Sequence, residues 1–198
     1  TMEEAALYTV KNDKIVMGAY GSARHEKGCN ALVAAIEEYC RRHPASKAQF
    51  VLQSMEGDKQ LWSRLANNPQ VQLIPEYFGD GGYARQLRAT DVLLLPYRRS
   101  SYALRVSRVV IEALVEGIPV VTTRKTTLED QAREFGAAVF CEDDQVESLL
   151  AAIEEAEKNF APLKTLAQQR KVPARAHFSV GTFRDILSAR QPGQPVAV

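Results

Sequence analysis

Arg105 and Arg108 stand three residues apart at the head of a segment, Tyr102 to Val121, that otherwise turns apolar, carries the single acid Glu112 and ends in Gly-Ile-Pro-Val-Val. Two guanidinium groups at a helix start oppose the helix dipole. The arrangement makes sense where a di-anion sits on the same spot, because arginine grips phosphate with two parallel N–H groups. Ser107 is of a type that caps such a helix. Glu112 lies four residues after Arg108 and seven after Arg105, which places all three on one helical face. A carboxylate there can accept hydrogen bonds from a ribose diol; alternatively it forms an intrahelical ion pair with Arg108 worth about 0.3–0.5 kcal/mol. Arg98, Arg99, Arg105 and Arg108 also read as a solvated basic rim.

A second cluster is Gly-Ala-Tyr-Gly-Ser-Ala-Arg-His-Glu-Lys-Gly, Gly18 to Gly28. Its glycines permit a tight turn, and Arg24 and Lys27 fall just before the next helix, whose unpaired N–H groups favour an anion. The G-x-x-G spacing is neither the dinucleotide fingerprint nor a Walker A loop. A polar loop with two exposed cations is the plainer alternative.

These loops need a scaffold, and the chain supplies one. Short apolar runs alternate with helical patterns, the signature of βαβ units. Expected strands are Lys14–Tyr20, Ala48–Ser54, Val71–Tyr77, Asp91–Tyr97, Ile118–Thr122 and Ala137–Glu142. Expected helices are Cys29–His43, Lys59–Asn68, Asp80–Thr90, Val106–Glu116, Thr127–Gly136, Gln145–Phe160 and Phe178–Arg190, with a basic stretch at Arg170 to Arg175. The fold class is therefore α/β, a single Rossmann-like doubly wound parallel sheet of about six strands over residues 1–190, followed by a flexible tail, 191–198. In such sheets ligands bind outside the carboxyl ends of the strands. That selects the loops Gly18–Gly28, Tyr77–Tyr83, Pro96–Ser107 and Thr122–Thr127.

With 25 Lys and Arg against 24 Asp and Glu, the net charge of +1 excludes the global positive field of a nucleic-acid binder. Cys29, Cys40 and Cys141 are too few and too scattered for a disulfide framework or a metal site, which fits a reducing cytoplasm. His25, His43 and His177 are dispersed and no Asp-x-Asp pair occurs, so no metal is expected. No apolar run approaches the ~18 residues of a spanning helix. The opening Thr1-Met2 is expected to be an internal start.

The motifs Gly21 to Gly28, Tyr77 to Tyr97, Tyr102 to Thr123 and His177 to Leu187 together resemble the C-terminal, donor-binding domain of the retaining, nucleotide-sugar-dependent GT-B glycosyltransferases (group 1), in the variant of bacterial surface-polysaccharide enzymes. The resemblance spans roughly Lys14 to Leu187. It implies that Lys27 contacts the donor diphosphate, that Glu112 is the second acid of an E-x7-E motif and meets the ribose, and that Phe78 packs the nucleotide base. Backbone N–H groups near Val106 to Arg108 would meet the phosphates, and Arg24, Arg105 and Ser107 complete the diphosphate site. Two positions depart from the pattern: Leu104 stands where the first acid belongs, and Ser22 where a loop arginine is usual. Arg24 is then the replacement for that arginine.

The implied activity is sugar transfer from a nucleoside-diphosphate sugar to a glycan or lipid-linked acceptor. A missing N-terminal domain would bind the acceptor, so the isolated chain is expected to bind nucleotide weakly and transfer little. The implied setting is cytoplasmic, at the inner face of the membrane through the rest of the protein. The departures keep open a decayed, non-catalytic donor domain that serves as an interaction module. A GT-B nucleotide-sugar epimerase is a further alternative, and a flavodoxin-like signalling domain is disfavoured by the lack of an acidic pocket after the first strand.

Overall fold

The computed structural model describes residues 13–55, 59–79 and 81–189. The expected tail, 191–198, and the ends of the expected 1–190 domain lie outside the described residues. Six strands, β1 (Ile15–Ala19), β2 (Ala48–Gln53), β3 (Val71–Ile74), β4 (Val92–Leu95), β5 (Val120–Thr123) and β6 (Ala138–Cys141), form one sheet in the order β3-β2-β1-β4-β5-β6. Every pairing is parallel. All four residues of β4 are buried, as a strand covered on both faces requires.

The helices are α1 (Cys29–Arg42), α2 (Lys59–Trp62), α3 (Gly82–Arg88), α4 (Arg99–Tyr102), α5 (Arg108–Glu116), α6 (Thr127–Phe135), α7 (Val146–Lys158), α8 (Phe160–His177) and α9 (Val180–Ala189). Two apolar layers flank the sheet. Met17, Phe50 and Leu94 point into the layer completed by α1 and α7, with Leu32, Ile36, Tyr39 and Ile153 fully buried there. Val51, Leu93 and Val120 face the other layer, where Val110 and Leu114 of α5 and Leu128 of α6 pack. Burying each such side chain stabilises the fold by about 1.5–3 kcal/mol.

Three expectations need correction. The helix expected from Val106 starts at Arg108, so Arg105 is in the preceding loop and does not share a helical face with Arg108 and Glu112. Ser107 occupies the N-cap position, yet its side chain makes no capping bond. The basic stretch 170–175 belongs to α8, an 18-residue helix that runs through Pro173. Tertiary bonds explain its persistence. Arg170 donates to the carbonyls of Arg133 and Gly136 (2.8 and 2.7 Å), Arg175 to that of Val115 (2.7 Å) and Gln168 to that of Gly117 (2.9 Å). These are the orphan carbonyls at the ends of α5 and α6, where positive charge also suits the dipole. Among the described residues no helix is long and apolar enough to cross a membrane.

Candidate functional site

Strand order reverses direction between β1 and β4, so the loops leaving their carboxyl ends diverge and a crevice opens between them. The cleft there is narrow and open to solvent, with a cavity volume of about 20 Å³, and is lined by Ala19 to Ser22, Lys27, Cys29, Leu32 and Trp62 and, across from them, Leu94 to Tyr97. Gly28 joins the two sides. It adopts φ +68, and a Cβ on it would stand 2.0 Å from the Pro96 carbonyl oxygen, so only glycine allows this approach. Beside it the Arg98 N–H donates to the Glu26 carbonyl at 2.9 Å.

Lys27 lines the cleft, with its Nζ 6.0 Å from the centre of the Tyr97 ring. The ammonium also lies against Gly21, whose positive φ of +91 brings the backbone within reach. Arg24 precedes the short 3-10 turn His25–Lys27, is half-exposed and pairs with Glu26 at 3.2 Å. Helix α1 then opens with Gly28 as its N-cap, which has no side chain to satisfy the first-turn N–H groups.

Tyr97 links this wall to the other. It is 3% exposed, and burial raises its pKa, keeping the phenol protonated; the nearby Ser107 hydroxyl and Arg24 charge work in the opposite direction. The Tyr97 and Tyr102 rings lie 4.7 Å apart, and the Arg105 guanidinium sits over Tyr102 at 5.1 Å. Arg24, Lys27, Arg105 and Ser107 therefore gather around one pair of tyrosines.

Glu112 is flanked on both sides. Its Oε1 pairs with Arg108 Nε at 3.0 Å, and its Oε2 accepts from the Tyr83 hydroxyl at 2.8 Å. The carboxylate raises the Tyr83 pKa after burial, the larger cause, so this phenol too remains a donor. Phe78 sits 6.0 Å from the Tyr83 ring and 5.8 Å from Tyr20. Tyr20 itself is anchored through its hydroxyl to Thr90 at 2.6 Å. Glu112 and Phe78 thus share an aromatic corner, though neither borders the cleft that Lys27 lines.

Other candidates lie elsewhere. Arg98 is turned to Asp143 (3.2 Å) and Asp144 (2.9 Å), an internal clamp onto the loop after β6. Leu104 is 94% exposed in the loop before α5. Ser22 borders the cleft. Among the described residues no three His, Cys, Asp or Glu side chains gather in the manner of a metal site.

Tyr97, Tyr102, Tyr83 and Gln53 went unremarked in the sequence. Gln53 ends β2, accepts from the Gly21 N–H at 2.7 Å and donates to the Glu76 carbonyl at 3.0 Å, tying the loop after β1 to that after β3. Tyr97 carried a signal, being a hydroxyl-bearing ring at the end of the most apolar strand. Tyr83 and Gln53 carried none, since their partners lie 23 to 32 residues away.

The fold is shared with known proteins. The structure resembles Anabaena HepE in complex with UDP, with a TM-score of 0.67 and 17% identity over 90% of this chain and 50% of that one. It resembles sucrose-phosphate synthase from Thermosynechococcus elongatus equally well, at 0.67 and 19% identity over 90% and 47%. The C-terminal domain of LpcC, a glycosyl transferase group 1 family protein from Francisella tularensis, gives 0.65 and 13% identity over 87% of this chain and 95% of that domain. The chain spans about half the length of HepE and of the synthase, and matches the LpcC domain nearly end to end. No curated protein sequence matches it. The sheet is that of a GT-B C-terminal domain, and the family model for glycosyl transferases group 1 matches residues 14–159, well over half of the 198, so the chain belongs to that family.

Proposed function

We propose that this chain is the donor-binding half of a glycosyltransferase that moves a sugar from a nucleoside-diphosphate sugar to a glycan or lipid-linked acceptor of the bacterial surface-polysaccharide type, with retention of anomeric configuration. A second Rossmann-like domain holds the acceptor, and the whole protein works in the cytoplasm at the inner membrane face. Lys27, Arg24, Arg105 and the first-turn N–H groups of α1 and α5 meet the diphosphate, Glu112 the ribose and Phe78 the base. HepE, which shares the fold, binds UDP and UDP-glucose.

The observation that carries the reading is the convergence of the two basic loops on Tyr97 at the switch point of the sheet. As the glycosidic bond breaks, negative charge builds on the departing diphosphate. Cations and oriented N–H groups already in place stabilise it without reorganising. Lys27 presents an ammonium beside Tyr97, Arg105 a planar fork held over Tyr102, and both helices present N-termini without a side-chain cap. This set does the work of a divalent ion, so binding proceeds without one.

The test is thermal unfolding with UDP, GDP, ADP and dTDP, with and without a chelator. A nucleotide at 100 times its dissociation constant adds about 2.7 kcal/mol, or about 5–11 °C for a chain of this size. Lys27→Glu abolishes that shift. Stabilisation that disappears with chelator and returns with magnesium overturns the metal-free part. The exposed Leu104, in place of the expected acid, favours a second reading, a decayed donor domain serving assembly. Absence of saturable binding by every nucleotide would establish that reading instead.

A further inference from the structure

Glu112 is the mid-helix acid to which the proposed function gives the ribose, and the inference drawn here rests on that reading. A glutamate on a helix surface has three rotatable bonds and no fixed aim. This one is held at both oxygens: Arg108 takes Oε1 at 3.0 Å and Tyr83 takes Oε2 at 2.8 Å. The two holders are unequal. Arg108 is 83% exposed and one helical turn away, a pair that water and salt weaken. Tyr83 comes from a different element, α3, and its ring is braced by Phe78 at 6.0 Å and Tyr20 at 6.3 Å. Tyr20 is in turn fixed by Thr90 and by Gln86, which donates to its hydroxyl at 3.2 Å. The carboxylate is thereby aimed from an anchored aromatic corner.

An ionised carboxylate has about four lone-pair positions. With two filled from the protein, two remain, one on each oxygen, and they suit a pair of adjacent hydroxyl donors. A phosphate is excluded, since it brings only acceptors and like charge. We infer that Tyr83 is a positioning residue that presents the free edge of Glu112 to a vicinal diol, and that the donor is in consequence a ribonucleoside-diphosphate sugar in preference to a 2′-deoxyribonucleoside one. A deoxyribose leaves one lone pair unmatched. Sites built to hydrogen-bond a hydroxyl reject the analogue lacking it by 10⁴-fold or more when sealed from water. Here the carboxylate is 27% exposed and water replaces part of the loss, so the preference is about tenfold.

The experiment titrates the 198-residue chain with UDP, GDP and ADP, each against its 2′-deoxy counterpart, and reads the ratio of dissociation constants for the base that binds best. Wild type shows about a tenfold ribo preference. Tyr83→Phe keeps the ring and removes only the hydroxyl; the preference falls to about threefold or less, while affinity for the deoxy nucleotide changes less than twofold. Glu112→Gln loses the preference as well. A purely structural role for Tyr83 would weaken both ligands together and leave the ratio intact. Wild-type and Glu112→Gln values as expected, with Tyr83→Phe retaining its tenfold ratio, overturn the positioning role and leave the ribose assignment standing. If Tyr83→Phe does not fold, Tyr83→His, which keeps a ring and a donor, retains more than half of the preference; its complete loss in a folded protein overturns the inference. A wild-type ratio of one with saturable binding overturns the ribose assignment and this inference together. No saturable binding at all overturns the proposed function and with it this inference.

Discussion

Replacing Gly28 by alanine tests the geometry on which the cleft depends. The new Cβ would lie 2.0 Å from the Pro96 carbonyl oxygen and 3.1 Å from its carbon. A comfortable C···O contact is about 3.3 Å, so the two loops must part by roughly 1.3 Å or the backbone must twist. At φ +68 an alanine also costs about 1–2 kcal/mol through its left-handed backbone. Separation of the loops strains the Arg98 N–H to Glu26 bond, worth about 1 kcal/mol. Together these give a loss of about 2–4 kcal/mol, or about 4–16 °C in melting temperature. Because Lys27 precedes Gly28 and Tyr97 follows Pro96, the shift also spreads the ammonium from the ring and weakens nucleotide stabilisation. Calorimetry with and without UDP measures both effects. Gly181→Ala, in the exposed second position of α9, is the control and changes stability by less than about 1 kcal/mol. A Gly28→Ala melting temperature within 1 °C of wild type would refute the close approach of the two loops.

Two further perturbations probe the scaffold around the site. Burial pushes the Glu129 carboxyl up, but the Lys125 N–H, Arg133 and Arg124 outweigh it and hold its pKa below the ordinary 4.5. Its stabilising contribution is therefore present above that pH and is lost as pH falls below it. A melting-temperature series from pH 7 to 3.5 should show wild type converging on Glu129→Gln at the acid end; parallel curves contradict the assignment. Arg170→Ala strands the Arg133 and Gly136 carbonyls at the end of α6, a cost of about 1–3 kcal/mol and about 2–12 °C. Urea unfolding that leaves the midpoint unmoved would show that α8 does not depend on this clamp.

The sheet was legible because its evidence is local. Runs such as Val92 to Leu95 are apolar on both faces, and Gly117 stops α5 where a left-handed residue is needed, at φ +70. The long α8 was hidden for the opposite reason. Pro162 and Pro173 argue against a helix in isolation, and the carbonyls that hold it belong to α5 and α6. Helix α5 begins two residues later than expected, with Ser107 as an N-cap whose side chain makes no capping bond. At the site, the sequence disclosed the charged groups and concealed the aromatic ones. Lys27 and Glu112 announce themselves by type and placement. Tyr83, Tyr97 and Tyr102 look like ordinary core residues until the loops that carry them are brought together.

The amide of Gln53 has a consequence for size selection. One end of that side chain holds the backbone beside Lys27, and the other holds the backbone two residues before Phe78. On the assignments proposed above, those are the landing points for the two ends of a nucleotide. A single side chain therefore acts as a gauge block between them, and shortening it to asparagine would alter the length of molecule that can bridge the gap.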